Sequence, residues 1–440
     1  MSIFTQRLVP FLAINCVWGF CGAAEPPTMF GGDPAHTGVR RSAAPTDLSL
    51  KWSFHTGGPI VSSPVVANGL VYIGSSDNFI YAIDARTGLL RWKFNAHGDV
   101  NSSPAASEGV VFAVSLDGNL YALDAATGSQ KWSFATQGER RHTGPGMDYA
   151  IPATEVMPDP WDLFLSSPAV VGDTVYFGSG DTNLYAVNTA NGSLRWRYKT
   201  DGVIHGSPAI GGGMVYIGSF DTFFYALDAA SGALVWKFKT GDDPKAHLMT
   251  GIPGSASFAN GTVYFGCRDA NVYALDGKTG GLRWKYPTGG SWVISTPSVV
   301  GDNVIITTSD SLKFQVLNAR TGSEVYSLPY GTFAFSSPTI ADGHAFFGTF
   351  DGKLHMVDLA ARRYSGEFAV PSYSINGPRY LSSDGKIKED VVWTGDTLDD
   401  TIVNLRSKVF SMGSILSTPE VLGGAVYFGS TDGTVYALGQ

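Results

Sequence analysis

Histidines that could bind a metal are spread over three polar segments of the chain. His142, His205 and His247 stand in different segments and could converge on one ion, because neutral imidazole is a common metal ligand. The alternative is that each histidine is solvated in its own loop. No cluster of Cys and His occurs at zinc spacing, and no Cys-x-x-Cys-His haem site is present. We therefore expect no metal site.

Paired carboxylates are the second candidate for chemistry. Asp159 with Asp162, and Asp242 with Asp243, could support acid–base hydrolysis or bind calcium. Their spacing does not distinguish either role from a solvated loop, and a general acid needs burial that a sequence does not reveal. The chain contains no Gly-x-Ser-x-Gly elbow, phosphate-binding loop or His-Glu-x-x-His motif. The sequence thus indicates no self-contained catalytic site.

A repeated unit must position these side chains, because it runs through almost the whole chain. "VYIGSSDNFIYAIDARTGLLRWKF" at 71–94 returns in similar form at 111–134, 175–198, 215–238 and 263–286. Weaker copies cover 304–328 and 345–368, and a last copy ends the chain. A Ser-Pro or Thr-Pro pair precedes nearly every copy. Many short apolar segments separated by Gly-containing turns predict an all-β protein.

Each part of the unit predicts one strand of a four-stranded blade. The segment after the Ser-Pro pair is the innermost strand A, "VYIG" and "YAID" are the hairpin strands B and C, and the Trp-containing segment is the outer strand D. The Trp recurs at the same place in five units, which indicates packing between blades. These residues are Trp92, Trp132, Trp196, Trp236 and Trp284.

The two ends of the repeat array predict a closed ring. The last copy stops after "YALGQ" without a D strand, whereas "LSLKWSF" at 48–54 is a D strand without B and C strands before it. Insertion of this N-terminal strand into the last blade would remove the exposed sheet edges. Eight hairpin aspartates then predict an eight-bladed β-propeller over 48–440. Residues 369–416 could instead contain a decayed ninth blade.

The first residues predict export. Arg7 precedes an apolar run, Leu8–Phe20, and small residues precede a cleavage position after Ala24, so 1–24 is expected to be a signal peptide and 25–47 an N-terminal extension. We therefore expect a periplasmic or secreted protein without a transmembrane segment in the mature chain. Loss of Arg7 leaves 29 basic and 38 acidic residues, a net charge of −9. This acidic balance argues against nucleic acid as a partner.

The pattern "VYxGSxDxxxYALDAxTGxxxWxF" resembles the repeat of the pyrroloquinoline-quinone (PQQ)-type propellers. One branch comprises the quinoprotein alcohol and sugar dehydrogenases, to which "FGGDPAHTG" and "DPWDLF" are similar. That resemblance implies bound PQQ and calcium, but the adjacent cysteine pair often found in these enzymes is absent from this sequence. The other branch comprises non-enzymatic BamB-like propellers, which are more similar in size and in their plain repeats. We expect no cofactor, with PQQ and calcium as the alternative.

Three long insertions predict where a partner binds. Residues 135–165, 239–254 and 369–416 are all D-to-A connections, which lie on one face of a propeller, and long loops are often functional. We therefore expect an envelope protein or a glycan to bind this face. We also expect the chain to be a monomer or part of a hetero-complex. A PQQ-dependent dehydrogenase and a glycan-processing hydrolase are the alternatives. The candidate binding residues on this face are Arg140, His142, Asp159, Trp161, Asp162, His205, Asp243, His247, Trp292, Phe335 and Trp393.

Overall fold

The computed structural model describes residues 27–145, 154, 156–241 and 250–439. Within these ranges the repeats form eight antiparallel sheets. The innermost strands of consecutive blades contact each other, and the innermost strand of the last blade contacts that of the first, so the ring is closed. The predicted eight-bladed propeller is therefore confirmed.

The first four blades follow one another along the chain. Blade 1 consists of β3 (Val65–Ala67), β4 (Leu70–Gly74), β5 (Phe79–Asp84) and β6 (Leu90–Asn95). Blade 2 consists of β7 (Ala105–Ser107), β8 (Val110–Val114), β9 (Asn119–Asp124) and β10 (Gln130–Ala135). After a small hairpin of β11 (Thr143–Pro145) and β12 (Val156–Pro158), blade 3 contains β13 (Ala169–Val171), β14 (Thr174–Gly178), β15 (Asn183–Asn188) and β16 (Leu194–Lys199). Blade 4 consists of β17 (Ala209–Gly211), β18 (Met214–Gly218), β19 (Phe223–Asp228) and β20 (Leu234–Lys239).

The remaining blades include two that recruit strands from the N-terminal region. Blade 5 consists of β21 (Ala256–Ala259), β22 (Thr262–Gly266), β23 (Asn271–Asp276) and β24 (Leu282–Pro287). Blade 6 consists of β25 (Ser298–Val300), β26 (Asn303–Thr307), β27 (Lys313–Asn318) and β28 (Glu324–Pro329). Blade 7 combines β1 (Val39–Arg40) with β29 (Thr339–Ala341), β30 (His344–Gly348), β31 (Lys353–Asp358) and β32 (Arg363–Ala369). Blade 8 combines β2 (Leu50–His55) with β33 (Glu420–Leu422), β34 (Ala425–Gly429) and β35 (Thr434–Gly439).

The N-terminal strand completes the last blade, as the sequence predicts. Strand β2 pairs antiparallel with β35, so that Trp52 lies opposite Ala437 and Phe54 opposite Val435. The indole of Trp52 donates to the carbonyl of Ala85 in blade 1 at 3.0 Å. This pairing fills the D position of blade 8, which the last repeat alone would leave empty.

The recurring tryptophans join neighbouring blades at the outer rim. The Trp92 indole is buried and donates to the carbonyl of Ala125 in the next blade at 3.0 Å. The same contact is made by Trp132, Trp196, Trp236 and Trp284. Each tryptophan therefore combines apolar burial with one satisfied polar atom, which confirms its predicted packing role.

The Ser and Thr residues of the Ser-Pro and Thr-Pro pairs, together with Ser255, form a ring of hydrogen bonds around the propeller axis, which we call the axial ring. In seven of eight steps the backbone N–H of one member donates to the hydroxyl of its counterpart in the next blade, at 2.7–3.2 Å. Among the described residues, the backbone N–H of Ser255 makes no such bond to Thr296. The Oγ1 atom of Thr296 is accordingly buried without a hydrogen-bond partner in the described part of the chain. The members of the axial ring are Ser63, Ser103, Ser167, Ser207, Ser255, Thr296, Ser337 and Thr418.

The hairpin aspartates hold the D-to-A connections in place. In blade 1 the Asp77 carboxylate accepts from the Tyr81 hydroxyl at 2.5 Å and from the backbone N–H of Gly57 at 2.7 Å. Gly57 belongs to the connection that enters blade 1, so one carboxylate joins a blade to the loop before it. Equivalent bonds join Asp181 to Gln137 and Asp269 to Gly241. The D-to-A loops are thereby fixed against one face of the ring.

The N-terminal extension covers the opposite end of the axis. Its backbone carbonyls accept from the innermost strands of successive blades: Pro34 accepts from Ile210 at 2.6 Å, and Thr37 accepts from Val299 at 2.8 Å. Strand β1 then pairs in parallel with β29. The extension thus satisfies backbone donors that a bare innermost strand would expose.

Residues 371–410 form helices, so the third insertion is not a ninth blade. The helices are α1 (Pro371–Tyr380), α2 (Glu389–Val392) and α3 (Leu398–Phe410). Thr397 caps α3 by accepting from the backbone N–H of Asp400 at 3.1 Å. Ile402, Leu405 and Val409 are buried on one side of α3, at the spacing of an amphipathic helix. No helix among the described residues is long and apolar enough to span a bilayer.

A buried ion pair fastens the extension to blade 8. Arg40 Nε and Nη2 each donate to one oxygen of the Glu420 carboxylate at 2.7 Å. We expect Arg40→Ala to lower the free energy of unfolding by about 3–5 kcal/mol, because it leaves a buried carboxylate unpaired. Equilibrium denaturation in urea measures this loss. The matched control is Arg195→Ala, whose exposed pair with Asp173 contributes about 1 kcal/mol or less. Equal losses in the two variants would contradict the proposed role of Arg40.

Candidate functional site

Apolar side chains from the D-to-A loops meet over the propeller axis in one cluster, which we call the apolar cap. Trp161 of the first insertion packs edge-on against Phe335, with ring centroids 6.0 Å apart, and Phe335 packs against Phe350 at 4.7 Å. The third insertion contributes Leu405 and Val409 of α3. Arg406 Nη1 also donates to the carbonyl of Pro160 at 3.0 Å. The first and third insertions therefore pack against each other above the ring.

Beside the apolar cap, His205 lies between two carboxylates. Its Nδ1 is 2.6 Å from Asp162 Oδ1, and its Nε2 is 2.9 Å from Glu139 Oε1. All three side chains are at most 2% exposed. Glu139 also accepts from the Ser179 hydroxyl at 2.9 Å, and Asp162 from the backbone N–H of His142 at 2.7 Å. These contacts fasten the first insertion to the start of blade 4.

The carboxylates keep His205 in its charged form. Burial acts to lower the pKa of His205, but the charges and hydrogen bonds of Asp162 and Glu139 outweigh it and raise that pKa to about 10. Burial also acts to raise the pKa of Asp162, but the imidazolium outweighs it and that pKa is lowered. Asp162 is therefore an ion-pair partner rather than a proton donor. Both His205 nitrogens carry protons, so neither is free to bind a metal.

A second buried ion pair joins Arg268 of blade 5 to Asp159 of the first insertion. Arg268 Nη1 donates to the Asp159 carboxylate, and both side chains are fully buried. The guanidinium lies 5.3 Å from the ring centre of Phe220 and 4.9 Å from that of Trp292. Stacking between these two aromatic rings shields the guanidinium from water, which is favourable because a guanidinium is more weakly hydrated than an ammonium group. Arg268 Nε and Nη2 have no hydrogen-bond partner among the described residues.

His142 packs on the other side of this group. Its ring centre is 4.4 Å from that of Phe220, and its backbone carbonyl accepts from the Asp159 N–H at 2.8 Å. Burial lowers the pKa of His142, although the charge of Asp159 acts in the opposite direction. His142 and His205 thus lie near one aromatic ring, whereas His247 lies outside the described residues. Where the structure is described, no group of three or more His, Cys, Asp or Glu side chains is arranged to hold a metal ion.

Three further candidates, Arg140, Trp393 and Asp243, do not belong to these buried groups. Arg140 Nε donates to the carbonyl of Gly180 at 2.9 Å, which fixes its loop to blade 3. Trp393 follows α2 and is 45% exposed. Asp243, like Asp242, lies outside the described residues.

Three residues that complete the charged group are absent from the sequence-based candidates: Glu139, Phe220 and Arg268. Phe220 and Arg268 occupy the same position of the repeat, directly before the hairpin aspartate, where other units carry Ser, Leu, Gly or Thr. Phe350 of the apolar cap occupies it too. This position varies strongly in size and charge in an otherwise uniform unit. That contrast within the repeat is a signal that could have indicated Phe220, Arg268 and Phe350. Glu139 carries no such signal.

A cavity of about 40 Å³ lies on the axis between the apolar cap and the N-terminal extension. Phe335 and Ile294 bound it on the side of the cap, and Phe30 bounds it on the side of the extension. All eight members of the axial ring line it, together with His205. At about 10–15 Å³ per water, the cavity has room for a few waters or a small ion.

The described residues do not fit PQQ with calcium at this face. The axial cavity is far smaller than a tricyclic quinone, and the space above it is filled by Trp161, Phe335 and Phe350. The carboxylates that could ligate calcium are already engaged, Asp159 with Arg268 and Asp162 with His205. We therefore derive no step that uses the quinone.

A family described as outer membrane protein assembly factor BamB matches residues 36–157, 154–291 and 225–366, which together span more than half of the chain. The chain belongs to this family. The overlap of successive BamB matches is expected for a repeat that aligns in several registers. No curated protein sequence matches significantly.

Solved structures show the BamB-like fold and its relation to the quinoprotein enzymes. BamB from Moraxella catarrhalis has 16% identity and a TM-score of 0.64, and the alignment covers 89% of this chain and 100% of that one. A europium-containing methanol dehydrogenase has 15% identity and a TM-score of 0.68, with 94% and 98% covered. The quinohaemoprotein alcohol dehydrogenase from Comamonas testosteroni has 15% identity and a TM-score of 0.68, with 95% and 81% covered. At such identities the likeness shows the fold alone.

The charged state of His205 predicts a pH dependence of stability. Because the pKa is raised from 6.5 to about 10 on folding, the contribution of His205 to stability is complete below pH 6.5. It is lost as the pH rises toward about 10. We expect the free energy of unfolding, measured in urea, to fall across this window in the wild type and to fall less in His205→Gln. Parallel pH profiles for the two proteins would show that His205 is not held as an imidazolium.

Proposed function

We propose that this protein is an exported scaffold that binds a partner through its D-to-A face. The observation that carries the proposal is a group of exposed apolar side chains on the helical insertion, which we call the apolar patch: Ile375, Trp393 and Val403. They are 66%, 45% and 44% exposed, on helices whose other sides are packed onto the ring. Exposed apolar side chains grouped on one surface are typical of protein interfaces. We therefore favour a protein over a glycan as the partner.

Hydrogen bonds within the insertion support a common surface for these side chains. Asn404 Nδ2 donates to the carbonyl of Thr394 at 2.7 Å, which brings the neighbouring Val403 and Trp393 together. Asn376 Nδ2 donates to the carbonyl of Ser411 at 2.7 Å, which ties the middle of α1, next to Ile375, to the end of α3. The apolar patch is thus held on a rigid support, which reduces the entropy lost on binding.

Export and a cell-envelope role extend the proposal. The predicted signal peptide at 1–24 lies outside the described residues, and the acidic composition and propeller fold suit a secreted or periplasmic protein. Because the chain belongs to the BamB family, we propose outer-membrane protein assembly as the process in which the partner takes part. Fractionation of cells that express the full-length chain tests export, since cleavage after Ala24 shortens the protein in the periplasm.

Substitutions in the apolar patch test partner binding. We expect the double variant Trp393→Ala/Val403→Ser to lose at least about 90% of the envelope protein retained by the wild type, because aromatic anchors dominate interface energies. The measurement is quantitative affinity capture from a detergent-solubilised envelope fraction. The matched control is Leu89→Ala, which removes an apolar side chain 67% exposed on the C-to-D turn of the opposite face. If Leu89→Ala loses the same proteins, or the double variant keeps them, the proposed face is wrong.

A PQQ-dependent dehydrogenase is the second candidate, because two enzymes of that type share the fold over most of the chain. The filled space above the axis leads us to expect that no quinone is retained. Purified protein incubated with PQQ and calcium, then passed through a desalting column, should show no quinone absorbance and no dye reduction with alcohols or sugars. A stoichiometric quinone band would replace the scaffold proposal with this enzyme class.

A glycan-processing hydrolase finds no support at the predicted carboxylate pair of the first insertion. Asp159 is paired with Arg268, and Asp162 is paired with His205 and has a lowered pKa, so neither can act as a general acid.

A further inference from the structure

The outer wall of the propeller is formed by the D strands, each of which pairs with one neighbouring strand only. These eight strands carry twelve basic and two acidic residues, although the chain as a whole has 30 basic and 38 acidic residues. The two acidic residues, Glu324 and Glu367, lie in blades 6 and 7. The acidic net charge of the chain therefore does not describe its outer wall.

Three consecutive blades hold most of this positive charge. The D strands of blades 3, 4 and 5 carry seven basic residues and no acidic one, and all seven are exposed. Arg195 pairs with Asp173. Arg283 pairs with Asp276, and the other five make no ion pair with a described acidic side chain. We call this surface the basic wall, and its residues are Arg195, Arg197, Lys199, Lys237, Lys239, Arg283 and Lys285.

Exposed apolar side chains stand in the same three strands. Leu194, Leu234 and Leu282 occupy the first position of β16, β20 and β24 and are 46%, 42% and 52% exposed. Val235, next to Leu234, is 47% exposed. Protection of a sheet edge against aggregation does not account for this composition, because charge of either sign protects an edge and exposed leucines work against it.

Basic side chains next to exposed apolar ones are typical of surfaces that contact anionic membranes. The cations attract the lipid headgroups, while the apolar side chains enter the boundary between headgroups and acyl chains. The acidic residues elsewhere on the chain do not prevent this contact, because charges more than about 8 Å apart are largely screened at physiological ionic strength. An anionic polysaccharide would also attract the cations, but it offers the leucines no apolar phase.

We propose that the basic wall binds the surface of a bilayer that contains anionic phospholipids. Each of its six-residue strands is about 20 Å long, so the D strands of neighbouring blades together form a surface that can lie along a layer of headgroups. The third insertion leaves the ring between blades 7 and 8, and blade 8 lies across the axis from blade 4. Membrane contact through the basic wall thus leaves the apolar patch open to its partner.

Vesicle flotation tests the proposal with purified protein. We expect the wild type to float with vesicles of phosphatidylcholine and phosphatidylglycerol but not with phosphatidylcholine alone. Binding should weaken as salt is added, because the attraction is between charges that salt screens. Absence of binding to the anionic vesicles, or equal binding to both kinds, would overturn the proposal.

The repeat itself supplies replacements that the fold accepts. The residue after the rim tryptophan is Ser53 in blade 8 and Ser133 in blade 2, at the position of Arg197, Lys237 and Lys285. The triple variant Arg197→Ser/Lys237→Ser/Lys285→Ser should therefore keep the wild-type Tm. We expect it to bind anionic vesicles at least about tenfold more weakly, because each basic residue near an anionic surface contributes about a factor of five in affinity.

A second variant distinguishes a membrane from a soluble polyanion. Blade 2 carries Gln130 where blades 3, 4 and 5 carry the exposed leucines. Leu194→Gln/Leu234→Gln/Leu282→Gln keeps every charge of the basic wall. We expect it to bind anionic vesicles at least about tenfold more weakly, because the apolar contact is lost, and to bind soluble dextran sulfate no more weakly than the wild type. Full retention of vesicle binding would assign the basic wall to an anionic polymer and overturn the proposal.

The matched control removes three positive charges from the C-to-D turns. Arg86, Lys278 and Arg320 are exposed there, at the position that Ala126 and Ala230 occupy in blades 2 and 4. Arg86→Ala/Lys278→Ala/Arg320→Ala changes the net charge as much as the serine variant does, and it should keep the vesicle affinity within about twofold of the wild type, since these charges lie outside the contact. Equal losses in the two variants would show that net charge, rather than the basic wall, decides binding.

Discussion

Closure of the ring is the constraint on which the other features depend. A propeller leaves no unfilled strand position only when its first and last strands meet in one blade, and here β2 supplies the D strand that the last repeat lacks. The axial ring then ties blade to blade at the centre, and the tryptophans do so at the rim. Because each contact involves neighbouring blades, most units carry the same residue type at the same position. The strict repeat in the sequence is a consequence of this arrangement.

The closed ring also decides where variation can occur. Residues that join blades vary little from unit to unit, whereas the position before the hairpin aspartate lies under the D-to-A face and varies in size and charge. Phe220, Arg268 and Phe350 occupy it, and together with the first and third insertions they fill the space over the axis. The insertions therefore have two roles. Their inner sides, through Trp161 and Asp159, cover the axis and its buried ion pairs, and their outer side carries the apolar patch that we propose as the partner-binding surface.

The likeness to the dehydrogenases of known structure extends over the whole ring and concerns the fold alone. A fold of this kind hosts different functions, and the contents of the loop face decide between them. In this chain the space over the axis is occupied by aromatic side chains, and the carboxylates of Asp159 and Asp162 are paired with Arg268 and His205. These contacts hold the first insertion against the ring.

The sequence by itself determined the propeller, the number of blades, the closing strand and the packing role of the tryptophans, because each depends on a local pattern copied eight times. It also indicated Asp159, Asp162, His142 and His205 as members of one loop face. Only the tertiary structure showed that Glu139 and Arg268 pair with them, since those contacts join residues 66 and 109 positions apart. The helices of the third insertion carry no repeat, so only the structure distinguished them from a ninth blade. The axial ring likewise emerges only when eight separate motifs meet on one axis.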